Sequence, residues 1–178
     1  RFARMTMAMC GRRCFRVDAN LRPEGRDGPL VRSLDSYEAY WDKWAEPWEF
    51  QALLKARPSG GDASLGSRWL DAAQRWLWTH PFTADELRSL RAMKARVEAE
   101  VARKGLSGRE LKRGPGGIRD IEFTVQLLQL VHGHLDPELR GPTTLSSLAE
   151  MAEAGYVDDD DAARLSDAYR LLRTVEHR

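Results

Sequence analysis

The stretch FRVDANLRPEGRDGPLV, residues 15–31, joins an alternating segment to a rigid turn, and it decides the fold class. Apolar residues occupy every second position from Phe15 to Leu21, so they share one face of a predicted strand. Asp18 falls on the opposite, polar face. A proline and two glycines then force a turn, and Pro29 to Val31 is predicted to return as a second short strand. The N-terminal part of the chain is therefore predicted to carry β structure.

The remainder of the sequence predicts helices. N-capping residues, or a proline in the first turn, precede apolar residues that recur at three- and four-residue steps. The predicted helix starts are Asp35, Pro47, Thr83, Thr143 or Thr144, and the acidic run Asp158 to Asp161. Gly105 is predicted to end the helix that begins after Thr83, and a long helix is predicted from Ile118. The predicted fold class is α+β and mainly α.

Composition and charge exclude several classes of function. The chain has 178 residues and a formal net charge of +1, which gives no polyanion-binding signal, so no nucleic-acid partner is predicted. No apolar run approaches the roughly 20 residues of a membrane-spanning helix, so no membrane partner is predicted. Cys10 and Cys14 lack the second ligand pair of a zinc site. We expect free thiols in a reducing compartment and a cytoplasmic protein.

Asp18 is the first candidate for chemistry. Aspartate is disfavoured in the middle of a strand, and carboxylates on strands commonly hold Mg²⁺ against substrate phosphates. One carboxylate cannot do this alone, and residues 1–17 contain no Asp or Glu. From spacing alone, Asp18 is either a metal ligand or an exposed surface residue, and the second interpretation is the simpler one.

Two turns offer candidate anion sites. Arg22 and Arg26 flank Pro23, and the pair forms either a phosphate clamp or a salt-bridged turn. The glycines of KRGPGGIRDIEF, residues 112–123, precede a predicted helix, where free amides could receive an anion. The stretch matches neither a P-loop nor a dinucleotide fingerprint, and close packing of chain against chain is the simpler interpretation.

Asp120 and Glu122 are the acidic residues of this second stretch. Because they are two residues apart on a predicted helix, they should point to different sides. A metal site shared by these two carboxylates is therefore not expected.

The two stretches together resemble the glutamine synthetase adenylyltransferase family. The first reads D-x-x-L-R-P-x-G-x-x-G from Asp18, and the second reads G-P-G-G-I-R-D-I-E-F at residues 114–123. The family consists of large two-headed enzymes that add AMP to glutamine synthetase and remove it. WEFQALLKAR, residues 48–57, and LRTVEHR, residues 172–178, look most like its N-terminal, deadenylylating half.

The resemblance implies a polymerase-β-like nucleotidyltransferase domain followed by a helical domain. Residues 1–80 would be the truncated C-terminal piece of the first domain, and residues 81–178 would be the helical domain, truncated at its C-terminus. Asp18 matches the third catalytic carboxylate of the family, which implies a catalytic and Mg²⁺-binding role with ATP as substrate. Arg22 would help to form the nucleotide-binding wall. The implied partners are glutamine synthetase and a PII-type nitrogen-signalling protein.

One departure from the family pattern limits the expected activity. The family's G-S and D-x-D segment should precede Asp18, and residues 1–17 do not contain it. We therefore expect a piece of a longer enzyme that is inactive by itself. The alternative is a helical interaction module that binds a nitrogen-signalling regulator. A polymerase-like nucleic-acid enzyme fits poorly with the net charge of +1.

Overall fold

A computed structural model describes residues 21–106 and 108–177. The described residues form seven α-helices and one 3₁₀-helix and contain no strand. The helices are α1 (Leu34–Trp44), α2 (Pro47–Leu53), α3 (Ala63–Thr79), α4 (Ala84–Arg103), α5 (Ile118–His132), the 3₁₀-helix (Pro137–Leu139), α6 (Thr144–Glu153) and α7 (Asp159–Glu176). The chain divides into two compact units, Arg1–Ala45 and Glu46–Arg178.

The N-terminal unit contains a compact turn and helix α1. The predicted strand at residues 15–20 lies outside the described residues. The predicted second strand, Pro29 to Val31, is wrong, because this segment is irregular and pairs with no strand among the described residues. Its apolar side chains are also not buried, since Leu30 is 68% exposed and Val31 is 86% exposed.

Helix α1 begins two residues earlier than its predicted cap implies. Ser33 is the N-cap, and its side chain accepts a hydrogen bond from the Ser36 amide at 3.3 Å. Asp35, the predicted cap, lies inside the first turn. A carboxylate there still favours the helix, because it faces the positive end of the helix dipole.

The C-terminal unit is built around α5. This helix packs against α2, α6 and α7, whereas α2 also packs against α3 and α4. Helices α6 and α7 pack against each other, and the 3₁₀-helix packs on α6. Most of these neighbours are close in sequence, which is typical of an antiparallel helical arrangement with short connections.

The other predicted helix starts and the predicted end of α4 are confirmed. Each follows local chemistry: a proline at the first helical position, a capping hydroxyl or carboxylate, or a glycine with positive φ after the last turn. The confirmed signals are Pro47 at the start of α2, the Thr83–Glu86 capping box of α4, Gly105 after α4, Thr143 at the N-cap of α6 and Asp158 at the N-cap of α7.

An apolar cluster fills the space between α5, the 3₁₀-helix, α6 and α7. Its buried members are Val125, Leu139, Leu148, Met151 and Ala162, with Leu128, Ala152, Val157 and Leu165 packed against them. A second, aromatic cluster joins α2 to α3: the Phe50 ring stacks on Trp76 with centroids 3.8 Å apart. Burial of these surfaces is the main stabilising contribution of the unit.

The mainly helical part of the predicted fold class is confirmed. The polymerase-β-like piece stays a prediction, because its predicted strand with Asp18 lies outside the described residues. The predicted domain boundary near residue 80 also stays a prediction. The division between Ala45 and Glu46 concerns compact units of this chain, and residues 46–80 lie in its C-terminal unit.

Candidate functional site

Asp18, the predicted catalytic and metal-binding carboxylate, lies outside the described residues. Arg22, the predicted nucleotide-binding residue, lies in the LRPEGRDG turn of residues 21–28. Its guanidinium donates from Nε to the Gly28 carbonyl at 3.0 Å and from Nη2 to the Arg26 carbonyl at 3.1 Å. These bonds close the turn from the inside. The guanidinium therefore shapes the turn, and its contact with a nucleotide stays a prediction.

The backbone of the LRPEGRDG turn is tightly constrained. Glu24 has φ of 60° and Gly25 has φ of 55°, both in the left-handed region. A Cβ added to Gly28 would lie 2.1 Å from the Pro23 carbonyl oxygen, so only glycine fits at that position. The turn is thus a specific shape rather than a loose connection.

Arg32 connects this turn to α1. Its side chain is only 11% exposed and forms an ion pair with Glu24. It also donates to Ser36 Oγ at 3.2 Å, and its guanidinium carbon lies 5.5 Å from the centroid of the Tyr40 ring. Arg32 was not among the predicted site residues, because its partners are four to eight residues away and share no local motif with it.

The pKa of Tyr37 is affected by two arginines of the N-terminal unit. Burial raises the pKa of the Tyr37 hydroxyl, whereas the positive charges of Arg32 and Arg22 oppose that increase. Two arginines of the N-terminal unit therefore act on one half-buried hydroxyl.

The second glycine-rich turn, residues 113–117, has no free amides for an anion. Its amides and those of the first turn of α5 donate within the chain: Gly116 to Asp120 Oδ2, Gly117 to Gly114 O, Ile118 to Leu111 O and Arg119 to Lys112 O. A Cβ on Gly117 would lie 2.7 Å from the Leu111 carbonyl oxygen. The packing interpretation of this stretch is confirmed, and the anion-binding interpretation is wrong.

Asp120 and Glu122 point to different sides of α5, as predicted. Asp120 lies 2.8 Å from Lys94 Nζ of α4 and accepts from the Gly116 amide at 2.7 Å. Glu122 instead accepts a hydrogen bond from the Tyr169 hydroxyl at 3.0 Å. Each carboxylate thus fixes α5 to a different neighbour.

Four residues that are distant in sequence meet at Glu122. They form the Glu122 cluster, which consists of Lys55, Glu122, Thr144 and Tyr169. Lys55 Nζ lies 3.6 Å from Glu122 Oε1 and donates to Thr144 Oγ1 at 3.0 Å. Burial and the hydrogen bond to Glu122 raise the pKa of Tyr169, so its hydroxyl remains a donor at neutral pH. No local pattern could have indicated this cluster, since it joins α5, α6 and α7 with the end of α2.

The described residues do not form a metal site by themselves. Across residues 21–106 and 108–177, no three His, Cys, Asp or Glu side chains are placed to hold a metal ion together. Within the same ranges, no helix has the length and apolar character needed to cross a membrane.

Two family models match successive parts of the chain. Residues 3–72 match Glutamate-ammonia ligase adenylyltransferase, and residues 91–178 match GlnD PII-uridylyltransferase. Both descriptions name enzymes that transfer a nucleotide. Both parts of the chain are therefore similar to nucleotidyltransferases.

Curated relatives carry the name bifunctional glutamine synthetase adenylyltransferase/adenylyl-removing enzyme. The relative from Mycolicibacterium smegmatis is 49% identical over 178 residues, which is 100% of this chain and 18% of the relative. The relative from Streptomyces avermitilis is 52% identical over 162 residues, which is 91% of this chain and 16% of the relative. The chain belongs to this family, and it spans less than a fifth of the length of these relatives.

Proposed function

We propose that the chain is part of a bifunctional nucleotidyltransferase that regulates glutamine synthetase. The enzyme transfers AMP from ATP to a tyrosine of glutamine synthetase and removes it by phosphorolysis. The observation that carries this proposal is the identity of 49% over all 178 residues to a relative with that name. The family's two motifs, from Asp18 and from Gly114, lie within that matched length.

In this proposal Asp18 is one of several carboxylates that hold Mg²⁺ at the reacting phosphate. Phosphoryl chemistry of this kind depends on positioning and on neutralising charge, which oxygen ligands and Mg²⁺ supply. The described residues contain no carboxylate cluster that fits the ion. The remaining ligands must come from outside them, and we assign only Asp18 to the metal.

The LRPEGRDG turn forms the wall of the nucleotide site beside Asp18. Arg22 contributes by closing the turn, since its guanidinium donates hydrogen bonds to two carbonyl oxygens of the turn. A turn fixed in this way presents its backbone without reorganisation during the reaction, which favours binding of the charged substrate.

The direction of the reaction and the partners follow from the family resemblance. We assign the chain to the half that removes AMP, because WEFQALLKAR and LRTVEHR look most like that half. The match of residues 91–178 to a PII-uridylyltransferase supports a PII-type signalling protein as a partner of the C-terminal unit. A cytoplasmic location is consistent with these soluble partners.

A second candidate function is a helical module that only binds the signalling regulator. The observation in its favour is that the described residues are helical and contain no metal-binding cluster. Binding of a purified PII-type protein to the 178-residue chain, with no contribution to catalysis in a longer enzyme, would favour this candidate.

The test is a segment exchange in the Mycolicibacterium smegmatis relative. The 178 matched residues are replaced by this chain. Removal of the labelled AMP group from modified glutamine synthetase, which with phosphate leaves as ADP, and attachment of the group from ATP are both measured. The exchanged enzyme should act within about tenfold of the relative, whereas the isolated chain should show no turnover. A folded exchanged enzyme that attaches AMP but does not remove it would overturn the proposal.

Asp18→Asn in the exchanged enzyme tests the assigned metal ligand. The change keeps the size of the side chain and removes its charge, so the rate should fall on the order of a thousandfold or more. Asp71→Asn is the matched control, because Asp71 is exposed on α3 and lies outside the turn, and it should leave the rate unchanged. Activity of the Asp18 variant within about tenfold of wild type would show that Asp18 is a surface residue.

A further inference from the structure

Glu24 has an unusual backbone conformation for its residue type. Its φ of 60° lies in the left-handed region, and it is the one residue other than glycine to do so among residues 21–106 and 108–177. A side chain at such an angle is strained unless neighbouring groups hold it in place, and residues held in this way cluster at functional sites. What holds Glu24 is therefore informative.

The carboxylate of Glu24 is held by Arg32. The side chain of Glu24 is 55% exposed, whereas the side chain of Arg32 is only 11% exposed. Arg32 is fixed in turn by Ser36 Oγ at 3.2 Å and by its position over the Tyr40 ring. One planar guanidinium thus touches three groups, two of which belong to α1, and a flexible ammonium would not reproduce all three contacts.

We propose that Arg32 is a positioning residue that fixes the LRPEGRDG turn onto α1 and so places the wall of the nucleotide site. The proposal rests on the proposed function, because it takes the turn to contact the phosphate-bearing substrate. The shape of the turn is set within it, by Arg22 and by the close approach at Gly28. Its placement relative to α1 is set by the contact between Arg32 and Glu24.

This division of roles predicts a specific effect of losing Arg32. Without Arg32 nothing holds Glu24 at its positive φ, so the turn should open more often and move relative to α1, and the substrate that binds it is held less well. A shift of about 1 Å in a binding group is enough to change rates and affinities strongly. The effect should appear in the binding of the phosphate-bearing substrate rather than in the binding of glutamine synthetase.

Hydrogen exchange on the 178-residue chain tests the physical part. The reporters are the Gly25 amide, which donates to the Arg22 carbonyl at 2.9 Å, and the Asp27 amide, which donates to the Glu24 carbonyl at 3.1 Å. Arg32→Met should raise exchange at one or both amides by about tenfold or more. The matched control is Lys43→Met, which removes an exposed cation from the last turn of α1 and should change neither amide.

A second variant separates positioning from damage to α1. Glu24→Gln removes the negative charge that pairs with Arg32 and changes no residue of α1. It should therefore also raise exchange in the turn while the Tyr37 amide, which donates to the Ser33 carbonyl, stays protected. Arg32→Lys should restore part of the protection, because it keeps the charge. Unchanged exchange at Gly25 and Asp27 in both Arg32→Met and Glu24→Gln would overturn the proposal.

Kinetics of the segment-exchanged enzyme test the functional part. Arg32→Met should raise KM for phosphate in the removal of AMP by about tenfold and leave KM for modified glutamine synthetase unchanged. A loss of folded enzyme would lower kcat without this difference between the two KM values, and Arg32→Lys should lie between wild type and Arg32→Met. An inactive parent enzyme would refute the proposed function, whereas an active parent with wild-type KM values in Arg32→Met would refute only the role of Arg32.

Discussion

Gly117 has no room for a side chain, although its backbone angles suit any residue. Its φ is −82°, so glycine is not needed for conformational freedom. An added Cβ would instead lie 2.7 Å from the Leu111 carbonyl oxygen and 2.8 Å from the Gly114 carbonyl oxygen. Both neighbours are backbone atoms, which cannot rotate away. The glycine therefore allows the turn to close directly onto the start of α5.

Gly117→Ala should destabilise the chain by about 1–3 kcal/mol, the usual cost of forcing extra atoms into a packed site. Urea unfolding followed by circular dichroism measures the difference. Gly60→Ala is the control, because its added Cβ meets nothing within 4 Å, and it should change stability by less than about 0.5 kcal/mol. Equal stability of the two variants would mean that the Leu111 carbonyl moves aside freely.

At the scale of a single helix, the start of α4 depends on one carboxylate, that of Glu86. Glu86 accepts hydrogen bonds from the Thr83 hydroxyl at 2.7 Å and from the Thr83 amide at 2.8 Å, and it lies 2.8 Å from His80 Nε2. Burial pushes the pKa of Glu86 upward, but the bonds from Thr83 and His80 outweigh this effect and hold the pKa below its ordinary value of 4.5. The folded chain thus favours the ionised carboxylate.

A pKa that is lowered by folding stabilises the folded state above the unfolded value and loses that contribution as pH falls. The difference in unfolding free energy between wild type and Glu86→Gln should therefore be largest above about pH 5 and should shrink between about pH 5 and pH 3. In the Thr83→Ala background, which lacks the hydroxyl donor, the same difference should depend less on pH. A difference that grows on acidification would contradict the assigned direction.

Most helix starts could be predicted because their signals are local. Pro47 and the Thr83–Glu86 pair each act within one turn, so the sequence contains the whole interaction. The strand at Pro29 to Val31 was predicted from residue type alone, whereas a strand needs a partner, and the described residues provide none. The Glu122 cluster was missed for the same reason, since its members are brought together only by the tertiary fold.

The Glu122 cluster makes a prediction about how α5 and α7 are joined. Tyr169→Phe removes the hydroxyl that donates to Glu122 Oε1 at 3.0 Å, and it should destabilise the chain by about 1 kcal/mol. In a Glu122→Gln background the same change should cost less, because the charged acceptor has already been lost. Strictly additive losses in the double variant would show that the two side chains do not interact.

At the scale of the whole molecule, the described chain is most securely packed in its C-terminal unit. The fully covered side chains that the structure describes include Leu139, Leu148 and Met151, all of which lie in this unit. The apolar residues Leu21, Leu30 and Val31 of the N-terminal unit are instead largely exposed. The free energy of local opening should therefore be higher in the C-terminal unit than in the N-terminal unit, and slow hydrogen exchange should be concentrated in α5, α6 and α7.

Leu128→Asp tests this inequality directly. Leu128 packs against the apolar cluster between α5, α6 and α7. A charge there is taken out of water without a partner, at a cost of several kcal/mol, which is comparable with the whole stability of a small domain. The variant should lose the slow exchange of α5 and its cooperative thermal transition.

The controls place the same charge where nothing is buried. Leu135→Asp and Leu21→Asp alter side chains that are 79% and 68% exposed, and each should change the unfolding free energy by less than about 0.5 kcal/mol. The comparison separates the effect of charge from the effect of position, because all three variants exchange leucine for aspartate. Slow exchange that persists in α5 of Leu128→Asp, together with unfolding of Leu21→Asp, would reverse the assignment of the stable part to the C-terminal unit.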